Sequence, residues 1–217
     1  MAARPGFFWT TGGLLLVLLL IAVVISATMG FMQIPVVAVL QAVTEHYLPF
    51  NFFGTALDPI TTAVVIDVRL PRILAAVLVG GILAVCGTVF QAILLNPLAD
   101  PYTLGISSGA AFGASLVIVL QVFGLTLPSS LSVPLFAFAG SVATLLAVLA
   151  LAAEDRRLSS TSLILSGVIV AAILSAAIGF LKFLADEQVG IIIFWLMGSL
   201  SGASRQDILL LTPTTRH

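Results

Sequence analysis

The spacing of charged residues constrains this chain more than any other feature. No charge falls between Arg4 and Glu45, a gap of 40 residues. Gaps of 27 between Arg72 and Asp100, 53 between Asp100 and Glu154, 24 between Arg157 and Lys182, and 17 between Glu187 and Arg205 follow. An α-helix needs about 20 apolar residues to cross the hydrocarbon core of a bilayer. The gaps therefore predict an all-α, polytopic membrane helix bundle with five full spans, near residues 14–32, 73–94, 103–123, 135–153 and 163–184. Pro128, a serine cluster and Pro134 divide the longest gap. Residues 191–200 are too few to cross and predict a re-entrant or interfacial helix, and 208–211 read as the start of an incomplete sixth span.

Composition supports the same class. Charged residues are 8% of the chain and mean hydropathy is +1.25, against about 25% charged in an ordinary soluble domain. Disorder requires the opposite balance. A net charge of -1 leaves no basic footprint for nucleic acid. The lone Cys86 can build neither an internal disulfide nor a multi-cysteine metal cage. The apolar runs are continuous and do not alternate, so helices are expected over barrel strands. The first run is long for a secretory signal and further spans follow it, so it reads as a span. No internal repeat divides the chain, and residues 1–217 are expected to form a single transmembrane domain with 33–68 as its longest non-spanning connection.

The acidic residues Glu45, Asp58 and Asp67 after the first span favour a cytoplasmic amino terminus. That choice puts Arg4, Arg156 and Arg157 inside and Arg69, Arg72, Lys182 and Arg205 outside. Three against four runs against the usual cytoplasmic excess of Lys and Arg.

Chemistry-bearing patterns are few. An ionisable residue deep in a span marks ion relays and coupled carriers; these spans hold none, and Lys182 lies near a helix end. No G-x-x-x-x-G-K-[ST] phosphate loop occurs, so ATP hydrolysis by that route is not expected here. Gly105-Ile106-Ser107-Ser108-Gly109 matches the G-x-S-x-G nucleophile elbow. That elbow needs a strand–turn–helix setting and a histidine base, whereas this segment opens an apolar helix and the only histidines are His46 and His217. An enzyme is not expected, nor is a metal site or cofactor.

Three constellations remain. Gly105, Gly109 and Gly113 recur every four residues, and Gly80, Ala84 and Gly87 form a similar stripe one span earlier. Such spacing lets a neighbouring backbone approach closely, either for tight packing or beside a moving pathway. Between these spans, Asn96-Pro97-Leu98-Ala99-Asp100-Pro101 reads as a rigid turn, with Asp100 as helix N-cap and Pro101 at the first helical position. Arg69-Leu70-Pro71-Arg72 opens the second span. Its arginines are either interfacial anchors or, because guanidinium offers planar paired donors, a grip for a partner's carboxylates.

Taken in order, these pieces resemble a known family. Arg69-Leu70-Pro71-Arg72 is followed by Val79-Gly80-Gly81-Ile82-Leu83-Ala84, then Gly87, Gln91, the Asn96–Pro101 turn, Leu104-Gly105 and Ser107-Ser108-Gly109-Ala110. Leu165-Ser166-Gly167 and Trp195-Leu196-Met197-Gly198-Ser199-Leu200 lie downstream. The series, over residues 60–204, is similar to the FecCD/BtuC-like permease subunits of ABC importers for iron(III)-siderophores, haem and cobalamin. The resemblance implies a multi-pass protein of the cytoplasmic (inner) membrane, embedded in lipid and paired with a second permease subunit, identical or related. It also implies a cytoplasmic ABC ATPase dimer and a periplasmic or lipid-anchored substrate-binding protein. It makes Arg69 and Arg72 docking residues for that binding protein and places Asn96, Pro97, Asp100 and Pro101 in a cytoplasmic turn. With the two arginines reserved for a partner, the orientation tally becomes three inside against two outside.

Three departures stand out. Leu95 occupies a position often polar or charged in the family, and Arg205 one that is commonly aromatic. Family members are also longer, with a coupling helix for the ATPase and further spans. The polar ending Thr212-Pro213-Thr214-Thr215-Arg216-His217 is expected of a frameshift, an early stop or a gene fragment, and the alternative to an importer subunit is a remnant or accessory membrane protein without transport of its own.

Overall fold

The computed structural model describes residues 5–48, 57–97, 100, 102–125, 127, 129–153 and 159–202. Every element among them is helical. Contacts divide the chain into two compact units, residues 1–81 with 200–217, and residues 82–199.

In the first unit, α1 runs Pro5–Thr28, starting nine residues before the expected span and ending four earlier. Nothing in the segment breaks a helix, and interior glycines such as Gly12 and Gly13 only weaken one. The connection expected over 33–68 is largely helical where it is described. Pro35 precedes α2 (Val36–Tyr47). Ile34, Ala42, Val65 and Ile66 form a small core, with Ala38, Val39 and Val43 packed against it. Buried Gln41 donates from Nε2 to Glu45 Oε1 at 2.8 Å, one turn on.

The next helix is longer than expected and irregular. It begins as α3 (Pro59–Ala63), widens to a π-helical stretch at Val64–Arg69 and continues as α4 (Leu70–Leu94). The cause is Pro71. It has no N–H to donate, and its ring would strike the carbonyl four residues back, that of Asp67. A wider turn relieves the clash. The Leu70 N–H accordingly bonds to Val65 O, five residues earlier.

In the second unit, α5 (Ile106–Val122), α6 (Ser129–Ala153) and α7 (Ser160–Ala185) pack on one another, and a 3₁₀ turn at Asp186–Gln188 leads into α8 (Val189–Met197). One core joins Leu94, Leu104, Val148, Ala152 and Leu163; another joins Ile118, Val119, Leu181, Ala185 and Ile192. α6 starts six residues before the expected boundary and takes in Pro134, as transmembrane helices tolerate. The start of α7 follows from Ser159, whose side chain accepts from Ser162 N at 3.1 Å as an N-cap. The short helix expected at 191–200 is α8, nine residues long.

Among the described residues, four helical stretches are long and apolar enough to cross a membrane: Trp9–Thr28, Pro59–Leu94, Ser132–Ala153 and Ser160–Met197. α5, the remaining expected span, has 17 residues, the lower end of what crosses. The incomplete span at 208–211 lies outside the described residues, as do Arg4, Arg156, Arg157 and Arg205.

Candidate functional site

The arginine pair sits where the π-helical stretch meets α4. Arg69 donates from Nη1 to Ala27 O at 2.6 Å and from Nη2 to Met32 O. Ala27 is in the last turn of α1, which carries no basic residue of its own. The terminal carbonyls of a helix lack partners within it and attract positive charge; here a guanidinium 42 residues away supplies both. Gly30 makes room for it, since a Cβ there would lie 3.0 Å from Arg69 Nη2. Arg72 donates from Nε and Nη2 to a single acceptor, Ser201 O, at 3.1 and 2.8 Å. Its side chain is exposed, while Pro71 beside it is buried. Both arginines thus hold backbone carbonyls of the first unit, contacts that sequence spacing does not announce.

These arginines border open space. A cleft of about 420 Å³ is lined by Ser26, Gly30, Met32, Val68, Arg69, Arg72 and Ile73, among others. Ser26 and Ile73 also line a second, almost wholly apolar cleft of about 460 Å³ between α1 and α4. Gly80 faces that cleft, and nothing stands within 4 Å of where a Cβ would be at Gly80 or Gly87. Ala84 between them is exposed.

The turn after α4 is closed by its own polar groups. Asn96 N donates to Gln91 O at 3.2 Å, and Gln91 Nε2 donates to Pro97 O at 3.0 Å. Leu95 takes a positive φ of 48°, the left-handed conformation in which a side chain is strained. Asp100 does not cap α5 as expected. Its Oδ1 accepts from Thr103 N at 2.9 Å, and its carbonyl from Thr103 Oγ1 at 2.6 Å, which closes a separate turn. The helix instead begins at Ile106 behind Gly105, whose φ of +70° ends any earlier start. Pro101 lies outside the described residues.

Gly105, Gly109 and Gly113 behave unlike the α4 stripe. A Cβ at Gly109 would lie 2.6 Å from Gly140 O and 2.7 Å from Thr144 Cβ on α6. At Gly113 it would lie 2.8 Å from the carbonyl carbon of Phe136, and at Gly105 3.0 Å from Gly167 O on α7. α5 therefore meets α6 backbone to backbone, and the turn just before it meets α7 in the same way. In lipid no hydrophobic force draws helices together, so such close approach is what favours association. The facing residues Gly140 and Thr144 were not anticipated from the sequence, although two small residues four apart are the mark of such a face. An apolar cleft of about 420 Å³ remains beside Gly113 and Gly140, extending to Val170 and Leu174 of α7. Among the described residues no group of three or more His, Cys, Asp or Glu is placed to hold a metal ion.

Known proteins are similar to this chain in sequence and in fold. An uncharacterized ABC transporter permease protein of Bacillus subtilis is 35% identical over 198 residues, covering 88% of this chain and 54% of its own length. The cobalamin import system permease protein of Halobacterium salinarum is 36% identical, covering 84% of this chain and 48% of its own. The hemin transport system permease protein of Yersinia pestis is 39% identical over 67% of this chain and 43% of its own. A solved structure, described as an inward-facing conformation of a metal-chelate type ABC transporter, superposes with a TM-score of 0.64 at 32% identity, covering 95% of this chain and 57% of that one. The chain thus spans about half the length of the curated relatives it matches. The family model for the FecCD transport family matches residues 18–215, and the chain belongs to that family.

Proposed function

We propose that this chain forms part of the membrane permease of an ABC importer that carries an intact metal chelate, haem or corrinoid inward. The family match over residues 18–215 carries the reading. The work of transport would come from a separate ATPase, and a second permease copy or a related chain would complete the path. The two compact units would then be parts of one permease domain. The close-packed α5–α6–α7 bundle would supply a stiff body, since close-packed interiors compress little and transmit strain.

Arg69 and Arg72 would meet acidic residues of a substrate-binding protein. Each guanidinium has five N–H groups and spends only some of them on carbonyls. Carbonyls satisfy N–H groups without cancelling the positive charge.

Vesicles carrying a full-length relative in which residues 18–215 of this chain replace the matching segment, with its ATPase and binding protein, should accumulate substrate only with ATP. Uptake without ATP, or on a proton gradient alone, would sink the proposal. Arg72→Glu should weaken docking of the binding protein, most at low salt because exposed pairs are screened. Unchanged affinity at low salt would leave the arginines as structural clamps.

A further inference from the structure

We propose that Gly30 is a positioning residue for partner docking, acting through Arg69. The inference rests on the docking reading above and adds what fixes the geometry of that site. Arg69 is half-buried and held at the end of its fork, where Nη1 donates to Ala27 O and Nη2 to Met32 O. Gly30 lies between those two acceptors in the chain. The three atoms nearest to its Cβ position all belong to the guanidinium: Nη2 at 3.0 Å, Cζ at 3.4 Å and Nε at 3.7 Å. Distances so alike to three atoms of one plane put a methyl over the flat face and not at an edge. Gly30 is therefore the bed on which the guanidinium lies. Its φ is not positive, so the backbone does not call for glycine there, and the constraint is space.

Holding Arg69 still serves docking. Ordering a long side chain is a cost of association, and Arg69 is ordered before a partner arrives. With its end taken by two carbonyls, it leaves the Nε side of the fork, which bears no hydrogen bond among the described residues. Nε and the second Nη2 hydrogen are parallel donors suited to one carboxylate. Arg72 is held the other way, through Nε and Nη2 onto Ser201 O, and leaves its Nη1 end. The two arginines thus present different edges, which match carboxylates at fixed places and angles. Charge brings partners together whatever the fork's orientation, whereas the fit of the contacts decides how long they stay.

The full-length relative carrying residues 18–215 of this chain would be held in lipid nanodiscs, and its own binding protein passed over it at low salt. Gly30→Ala should raise the dissociation rate about threefold and Gly30→Val about tenfold, the range spanned by one hydrogen bond. The association rate and its salt dependence should not change, because both charges remain. Gly87→Ala adds its methyl to open space and should alter neither rate. In an Arg69→Gln background Gly30→Ala should add nothing, since residues acting through one contact are not additive. A loss of fold would lower the fraction of competent sites without changing dissociation from the rest. Dissociation untouched by both Gly30 variants, but faster in Arg69→Gln, would overturn the proposal and leave the docking reading intact. A Gly30→Ala effect of undiminished size in the Arg69→Gln background would also overturn it. Dissociation untouched by Arg69→Gln and by Arg72→Glu would overturn the docking reading and this inference together.

Discussion

Replacing Gly109 with alanine should part α5 from α6, and the structure sets the scale. The added methyl would stand 2.6 Å from Gly140 O, where ordinary contact begins near 3.4 Å. The Gly140 carbonyl is main chain, so no rotamer change relieves it, while the other two near atoms, Oγ1 and Cβ, belong to the Thr144 side chain. A local separation of about 0.8 Å would forfeit a quarter to a half of the dispersion energy of each contact along that seam. Overpacking of this kind costs about 1–3 kcal/mol, and alanine's better helix propensity returns up to about 1 kcal/mol. With the full offset the net loss is about 0–2 kcal/mol, and the gap from a control that has the same helix gain without the clash is about 1–3 kcal/mol. Gly87→Ala is the matched control, because nothing lies within 4 Å of its Cβ position; it should be neutral or gain up to about 1 kcal/mol. Unfolding in mixed micelles of rising SDS fraction, followed by tryptophan fluorescence, would compare the two. Adding Thr144→Ala to Gly109→Ala should restore only part of the loss, since the Gly140 carbonyl remains. If Gly109→Ala and Gly87→Ala unfold at the same SDS fraction, the backbone-to-backbone account of this bundle is wrong.

Leu95→Gly removes a strained left-handed side chain that is 87% exposed and should raise stability by about 1 kcal/mol in the same assay. Ser159→Ala deletes the N-cap of α7 and should cost about 1 kcal/mol, with faster amide exchange at Ser162 as its local sign. Arg69→Gln removes the charged donors from the end of α1 and should cost about 1.5–3 kcal/mol; hydrogen exchange should rise in the last turn of α1 and at Gly30, and not in α5.

The membrane-spanning helices were legible because a bilayer forbids what water permits. An unpaired charge or backbone group in hydrocarbon is so costly that charge-free runs outline α4, α6 and α7 directly. Their ends were less legible. Proline stops a helix in water, yet Pro134 sits inside α6 and Pro71 is absorbed by a wider turn. Asp100 looked like a cap because Asp-Pro often is one, and the positive φ of Gly105 outweighed it. α2 escaped notice because only one face is apolar and it is 12 residues long. The arginines were legible as functional candidates, but their carbonyl partners lie 42 and 129 residues away, a distance no local pattern spans. Glycine spacing located the α5 seam from one side only. That the equivalent stripe on α4 meets open space depends on which neighbours are present, and spacing does not carry that information.

The widened turn at Val64–Arg69 also makes this helix sensitive to chain length. A π turn holds one residue more than an α turn, so it offsets the angular phase of everything after it by about 100°. Deleting one residue there would turn Arg72 about a quarter circle away from Ser201 while leaving every downstream residue chemically intact. Insertions and deletions at this point would therefore act on orientation and not on composition, and the Val64–Arg69 stretch is the place where the chain sets which way α4 faces.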